Sequence, residues 1–262
     1  MSYVRGPLAR SVDRWSRTLL AYLVAFVLVL LTAPGSSHGE DGNQVLASMD
    51  QAMTRAADQF FEYEVVHSDP GKAPKHMALR VWVKGQMRLT EFLAPGDMKG
   101  TKALVRSRTQ MYLYLPAYNK IRRVASHATK GGFLGTTFSN EDISTTTYAD
   151  VYAASSVRSE GDNWVVEATP REGVKAAYGK LVFVIDQKLA LPTEIRYFND
   201  TGQHTKTETR TDYGCKDTIC NAGVMKMVDH SRNDAWTELR KTAWKVNTGL
   251  SDGEFSLRRL QP

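Results

Sequence analysis

Residues 99–143, KGTKALVRSRTQMYLYLPAYNKIRRVASHATKGGFLGTTFSNEDI, decide how the chain is read. The first half holds three runs of strand character, 102–106, 111–115 and 120–125, the last two joined by the turn residues Pro116-Ala117-Tyr118-Asn119. The second half is glycine-rich and sets Phe133, Leu134 and Phe138 among polar residues. A long loop rarely carries apolar groups unless they cover something apolar or are covered by it. The stretch therefore predicts a β wall followed by a segment that rims or closes an apolar space.

The same grammar extends to both sides. Upstream, residues 61–66, 77–84 and 88–93 alternate apolar and polar side chains with period two, as a strand with one wet face requires. Downstream, strands are predicted over 152–159, 164–168, 179–186, 191–199, 205–213, 224–232, 236–246 and 255–260, separated by turn signals such as Glu160-Gly161-Asp162-Asn163. One amphipathic helix precedes them, capped by Asp41 or Asn43, with Val45, Leu46, Met49, Met53, Ala56 and Phe60 on its apolar face. Its plain reading is a core-facing helix. Its functional reading is a lid whose Met49 and Met53 touch a variable apolar ligand.

A meander of about eleven antiparallel strands accumulates twist and curls, so the expected fold is a half-closed antiparallel β-barrel with the helix as its lid. The residues in phase to face the enclosed space are Leu79, Val81, Val83, Leu89, Leu93, Met111, Leu113 and Leu115, with Phe133, Leu134 and Phe138 as its gate.

The N-terminus is different in kind. Arg5, Arg10, Arg14 and Arg17 precede an uncharged apolar run over 19–31, followed by small residues over 33–39. This is the layout of a secretory signal, with an uncleaved anchor as the alternative. The domain plan is thus a signal peptide over 1–39 and a single domain over 40–262, exported to the periplasm. The formal net charge is +6, and the four leader arginines against Asp13 supply half of it. What is left is ordinary solubility, with little support for nucleic-acid binding. In an oxidising compartment Cys215 and Cys220 are read as a local disulfide. A zinc site needs two further ligands, and His204 and His230 stand at no standard spacing to supply them.

Enzyme signatures are weak. Glu141 and Asp142 are adjacent and diverge if extended, and their plain role is loop termination, with Asp142 or Ser139 accepting backbone hydrogen bonds. The sequence has neither a G-x-S-x-G elbow nor a phosphate loop. The five histidines after the leader are scattered and read as surface or turn residues. Arg122 and Arg123, with Lys120 and Lys130, read as a solvated face or as a patch for anionic headgroups or an acidic partner.

Four segments together carry a family resemblance: 92–101 (FLAPGDMKGT), 111–116 (MYLYLP), 120–124 (KIRRV) and 134–143 (LGTTFSNEDI). By these the chain resembles the outer-membrane lipoprotein-sorting proteins, which are similar in fold to the periplasmic carrier LolA. The resemblance implies a monomeric carrier of lipoprotein acyl chains or other lipids, without cofactor or metal. It also implies an inner-membrane transporter and an outer-membrane acceptor as partners. An envelope adaptor or sensor that binds a protein partner is the alternative, and a lipid hydrolase ranks far behind.

Overall fold

A computed structural model describes residues 1–2, 41–125 and 132–261. Residues 3–40, most of the expected signal peptide and its cleavage region, and with them His127 and Lys130, lie outside the described residues. The chain first forms helix α1 (Gly42–Met53), with Asp41, one of the two expected caps, as N-cap accepting the Asn43 N–H; it ends before Ala56 and Phe60, which the sequence places on its face and of which Phe60 is in the first strand. A meander follows: β1 (Gln59–Ser68), β2 (Lys75–Lys84), β3 (Met87–Ala94), β4 (Lys102–Ser107), β5 (Gln110–Leu115) and β6 (Lys120–Val124). After the short helix α2 (Asn140–Ser144) come β7 (Tyr152–Glu160), β8 (Asn163–Pro170), β9 (Lys180–Asp186), β10 (Leu191–Phe198) and β11 (His204–Thr211). A small hairpin, β12 (Gly214–Lys216) and β13 (Ile219–Asn221), precedes β14 (Val224–Asp229) and β15 (Ala235–Val246). The chain closes with helix α3 (Leu257–Leu260).

Thirteen strands make one sheet in the order β6-β5-β4-β3-β2-β1-β15-β14-β11-β10-β9-β8-β7. Every named pairing is antiparallel; β15 returns from the chain end to sit beside β1 and joins the two meanders. The sheet thus has more strands than the expected eleven, and thirteen of the fourteen segments with strand character in the sequence belong to it. The edges, β6 and β7, do not pair with each other, so the sheet is not closed into a barrel. Charged residues protect the β6 edge, where Lys120, Arg122 and Arg123 are all exposed.

The inner face carries Phe61, Tyr63 and Val65 of β1, Met77, Leu79 and Val81 of β2, and Phe183, Ile195 and Tyr197 from the other meander in one buried cluster. Val45, Leu46 and Met49 of α1 join it. A second, smaller cluster of Leu89, Leu104, Tyr114, Phe255 and Leu260 is separate from the first. It corrects one sequence expectation. Residues 255–260 are not a strand: a 3-10 turn, Asp252–Phe255, and α3 lay Phe255 and Leu260 on the sheet. The end of the chain is held by Asp58, whose carboxylate accepts N–H bonds from Thr248, Gly249 and Leu250 and the Thr248 hydroxyl at 2.7–3.1 Å.

Glu141 and Asp142, which would diverge in an extended segment, lie in a helix, because Ser139 and Asp142 form a reciprocal capping box that starts α2. That box matches the plain role given to Ser139 and Asp142. His67 is not a surface histidine; it is 2% exposed and hydrogen-bonded through Nδ1 to the Thr237 hydroxyl at 2.9 Å.

Candidate functional site

The inner face encloses a cavity of about 190 Å³. Its walls come from seven strands consecutive in the sheet, β3, β2, β1, β15, β14, β11 and β10, which only a strongly curled sheet can direct at one space. Phe61, Tyr63 and Val65 supply one wall, Met77, Leu79, Val81 and Val83 the next, and Met225 and Leu239 the far side. Met53, at the end of α1, and Ala56 complete the apolar lining near the hairpin residues Cys220 to Ala222. Cys215 and Cys220 face each other across that hairpin and are disulfide-bonded.

Residues 133–148 cross the cavity as a cover. Phe133 and Phe138 line the space and are 4% and 8% exposed, so the gate residues are buried rather than displayed. Phe133 packs on Phe92 with ring centroids 6.2 Å apart. Between them Leu134 and Gly135 turn through the left-handed region, with φ of 48° and 82°, and the Phe133 N–H closes the loop on the Phe138 carbonyl at 2.7 Å. Gly135 takes that φ without a Cβ penalty, whereas Leu134 bears one of about 1–2 kcal/mol.

The cover is held by polar bonds at both ends. The Thr137 N–H donates to the Thr237 hydroxyl at 3.0 Å, extending a chain that begins at His67, and the Thr137 hydroxyl donates to the Met227 carbonyl at 3.0 Å. Asp142 accepts from Lys206 Nζ at 3.1 Å and from the Tyr178 hydroxyl at 2.8 Å. Arg88 Nη1 donates to the Ile143 carbonyl at 2.9 Å. At the far end Asp50 of α1 accepts the N–H groups of Tyr148 and Ala149 at 2.9 and 2.7 Å. Burial outweighs those bonds and pushes the Asp50 carboxyl up to about 6.

Of the residues assigned from sequence, the structure brings Met53, Leu79, Val81, Val83, Phe133 and Phe138 together around the cavity. It places Met49, Met111, Leu113 and Leu134 in the surrounding apolar packing, off the cavity wall. Leu93 sits half-buried at the bulge where β2 and β3 change register, and Leu115 is half-buried at the end of β5; neither lines the space. On β3 the cavity instead receives Arg88, Thr90 and Phe92, and Leu89 belongs to the smaller cluster. Arg122 and Arg123 stand apart on the exposed edge strand.

Sequence reasoning missed the polar end of the cavity. Arg88, Asp142, Glu208 and Arg210 all line it, beside Tyr63 and Tyr148. Glu208 accepts from Arg210 Nε at 2.6 Å and from the Tyr197 hydroxyl at 2.7 Å. Burial pushes the phenols of Tyr63, Tyr148 and Tyr197 well up, so they are neutral hydrogen-bonding groups at physiological pH. Burial works against the charge on Arg210, and the adjacent Glu208 more than restores it. The lone signal in the sequence was the alternation Arg88-Leu89-Thr90-Glu91-Phe92, whose two faces are both partly apolar.

A curled antiparallel sheet around one largely apolar cavity, with a helix and a bonded cover, is a fold that solved structures of low sequence identity share. The chain is similar to a DUF1329 family protein from Desulfovibrio piger, with a TM-score of 0.76, 24% identity and coverage of 84% of this chain and 98% of that one. It is similar to an outer membrane lipoprotein-sorting protein domain from Vibrio parahaemolyticus, with a TM-score of 0.74 and 24% identity over 85% of this chain and 100% of that one. A LolA superfamily protein from Nitrosomonas europaea aligns with a TM-score of 0.69 at 16% identity, covering 84% and 99% of the two chains. No curated protein matches the sequence. A family model described as "Uncharacterized protein" matches residues 84–262, more than half of the chain, and the chain belongs to that family.

Proposed function

We propose that this protein is a periplasmic carrier that takes lipoprotein acyl chains, or other lipids, into the cavity and passes them toward the outer membrane. The observation that carries the reading is the cavity itself, walled by seven strands and lined mainly by aliphatic and aromatic side chains. In this reading the curled sheet works as a half-closed barrel, with α1 and residues 133–148 as its lid. An inner-membrane transporter is the donor and an outer-membrane acceptor receives the cargo. An acyl chain forms no hydrogen bonds, so its carrier needs apolar area, at about 0.8 kcal/mol for each methylene buried. Release then needs a competing apolar site rather than a chemical step, which suits a carrier better than an enzyme.

The cavity of about 190 Å³ is smaller than typical ligand sites of roughly 300–1,000 Å³. A full chain therefore enters only as the cover moves outward, which makes the Thr137, Asp142 and Ile143 bonds the latch in this account. A fluorescent acyl probe tests it. The delipidated protein is expected to bind the probe, and Val83→Trp, which fills the cavity from a half-buried position, is expected to lower affinity at least tenfold with the fold intact by circular dichroism. Unchanged affinity in Val83→Trp contradicts the cavity as the site.

A further inference from the structure

A cavity meant only for hydrocarbon has no use for ionised groups, because burying a charge in apolar surroundings is costly unless it is paired. This one has four at its wall. One of them, Asp142, is accounted for: it is matched by Lys206, the Tyr178 hydroxyl and the Ser139 N–H. The other side of the wall is unbalanced. Arg88 and Arg210 face a single carboxylate, Glu208, and Glu208 already accepts from Arg210 and Tyr197.

The donors are unspent as well as the charge. A guanidinium offers five N–H donors in a planar fork that fits oxyanions. Arg88 uses Nη1 on the Ile143 carbonyl, while its buried Nε has no hydrogen-bond partner among the described residues. Arg210 uses Nε on Glu208, and among the described residues its Nη1 has only the Met53 sulfur at 3.9 Å. Burial and the nearby positive charge of Arg210 both press the Arg88 pKa down, the penalty that an incoming anion relieves. The two cations therefore stand at the cavity wall among Phe61, Val65, Leu79 and Val81 with one positive charge in excess.

We propose that the cavity selects an anionic amphiphile, a single apolar chain ending in a carboxylate or phosphate, with the oxyanion bound by Arg88 and Arg210 and the chain laid along β1 and β2. This rests on the carrier reading and narrows its cargo. It also couples loading to the cover, because the guanidinium that meets the headgroup is the one that donates to the Ile143 carbonyl.

The test is displacement of a neutral probe, aminoanthracene, by laurate, dodecyl phosphate, dodecanol and dodecylamine, all below their aggregation limits. Laurate or dodecyl phosphate is expected to displace the probe at least tenfold better than dodecanol, with dodecylamine weakest, and the better of the two anions identifies carboxylate or phosphate as the preferred headgroup. In Arg88→Gln and Arg210→Gln the preference for anions is expected to fall toward unity while dodecanol still binds; Arg88→Lys is expected to keep part of it. Equal displacement by all four compounds overturns the anion site and leaves the carrier reading standing. A failure of any chain to displace the probe, or of the probe to bind, overturns both. The unsubstituted protein's headgroup series decides the matter even if a variant does not fold.

Discussion

Asp50 shows how a single buried carboxylate ties α1 to the chain that follows α2. It spends both oxygens on the N–H groups of Tyr148 and Ala149, and burial holds its pKa at about 6 against an ordinary 3.8. The folded protein thus keeps a proton on this group that the unfolded chain has released, so the group's contribution to stability is greatest below pH 3.8 and is lost as pH rises through 6. Asp50→Asn is expected to remove this component: between pH 4 and 6.5 the melting temperature of the variant changes less with pH than that of the parent. Paired thermal melts check it, and identical pH slopes contradict it. At this scale the sequence was informative where one face of a strand was wet. Leu79, Val81 and Val83 were legible as cavity residues because Arg80, Trp82 and Lys84 marked the opposite face. Leu89, expected toward the cavity, faces away from it and Arg88 lines the cavity instead, because Phe255 and Leu260, far along the chain, give Leu89 an apolar partner of its own.

Elements followed the same logic. The alternating runs and their turn residues marked the strands of the main sheet to within a few residues, and the N-cap at Asp41 fixed the start of α1. The C-terminal segment misled because four apolar or small residues in six satisfy a strand pattern as well as a 3-10 turn and a single helical turn. The β12–β13 hairpin is too short to give a periodic signal, and its cysteines alone announced it. Edge strand β6 carries Arg122 and Arg123, exposed and free of the cavity wall, with Arg122 over the Tyr118 ring at 5.9 Å. Edge protection accounts for their charge, and in the carrier reading the same patch meets anionic headgroups or an acidic partner. Arg122→Glu with Arg123→Glu is expected to abolish salt-sensitive sedimentation with phosphatidylglycerol vesicles while leaving probe binding in the cavity unchanged; equal sedimentation of variant and parent removes the patch from the account.

At the scale of the whole molecule, sheet curvature is what joins distant residues into one site. Arg88 on β3 and Arg210 on β11 are far apart in sequence and have four strands between them in the sheet, yet they line the same cavity. Alternation in a sequence reports faces, not which strands are neighbours. The position of β15 between β1 and β14 was therefore invisible, and with it the charged end of the cavity. The apolar nature of the space was legible, since it needs only many in-phase aliphatic residues. The central claim is that this space holds a lipid chain. Purification without detergent from the native host, followed by organic extraction and mass spectrometry, tests it most directly. Acyl lipid is expected in a defined ratio to protein, and less of it from Val83→Trp; protein that is lipid-free from both the parent and the variant contradicts a lipid-holding cavity.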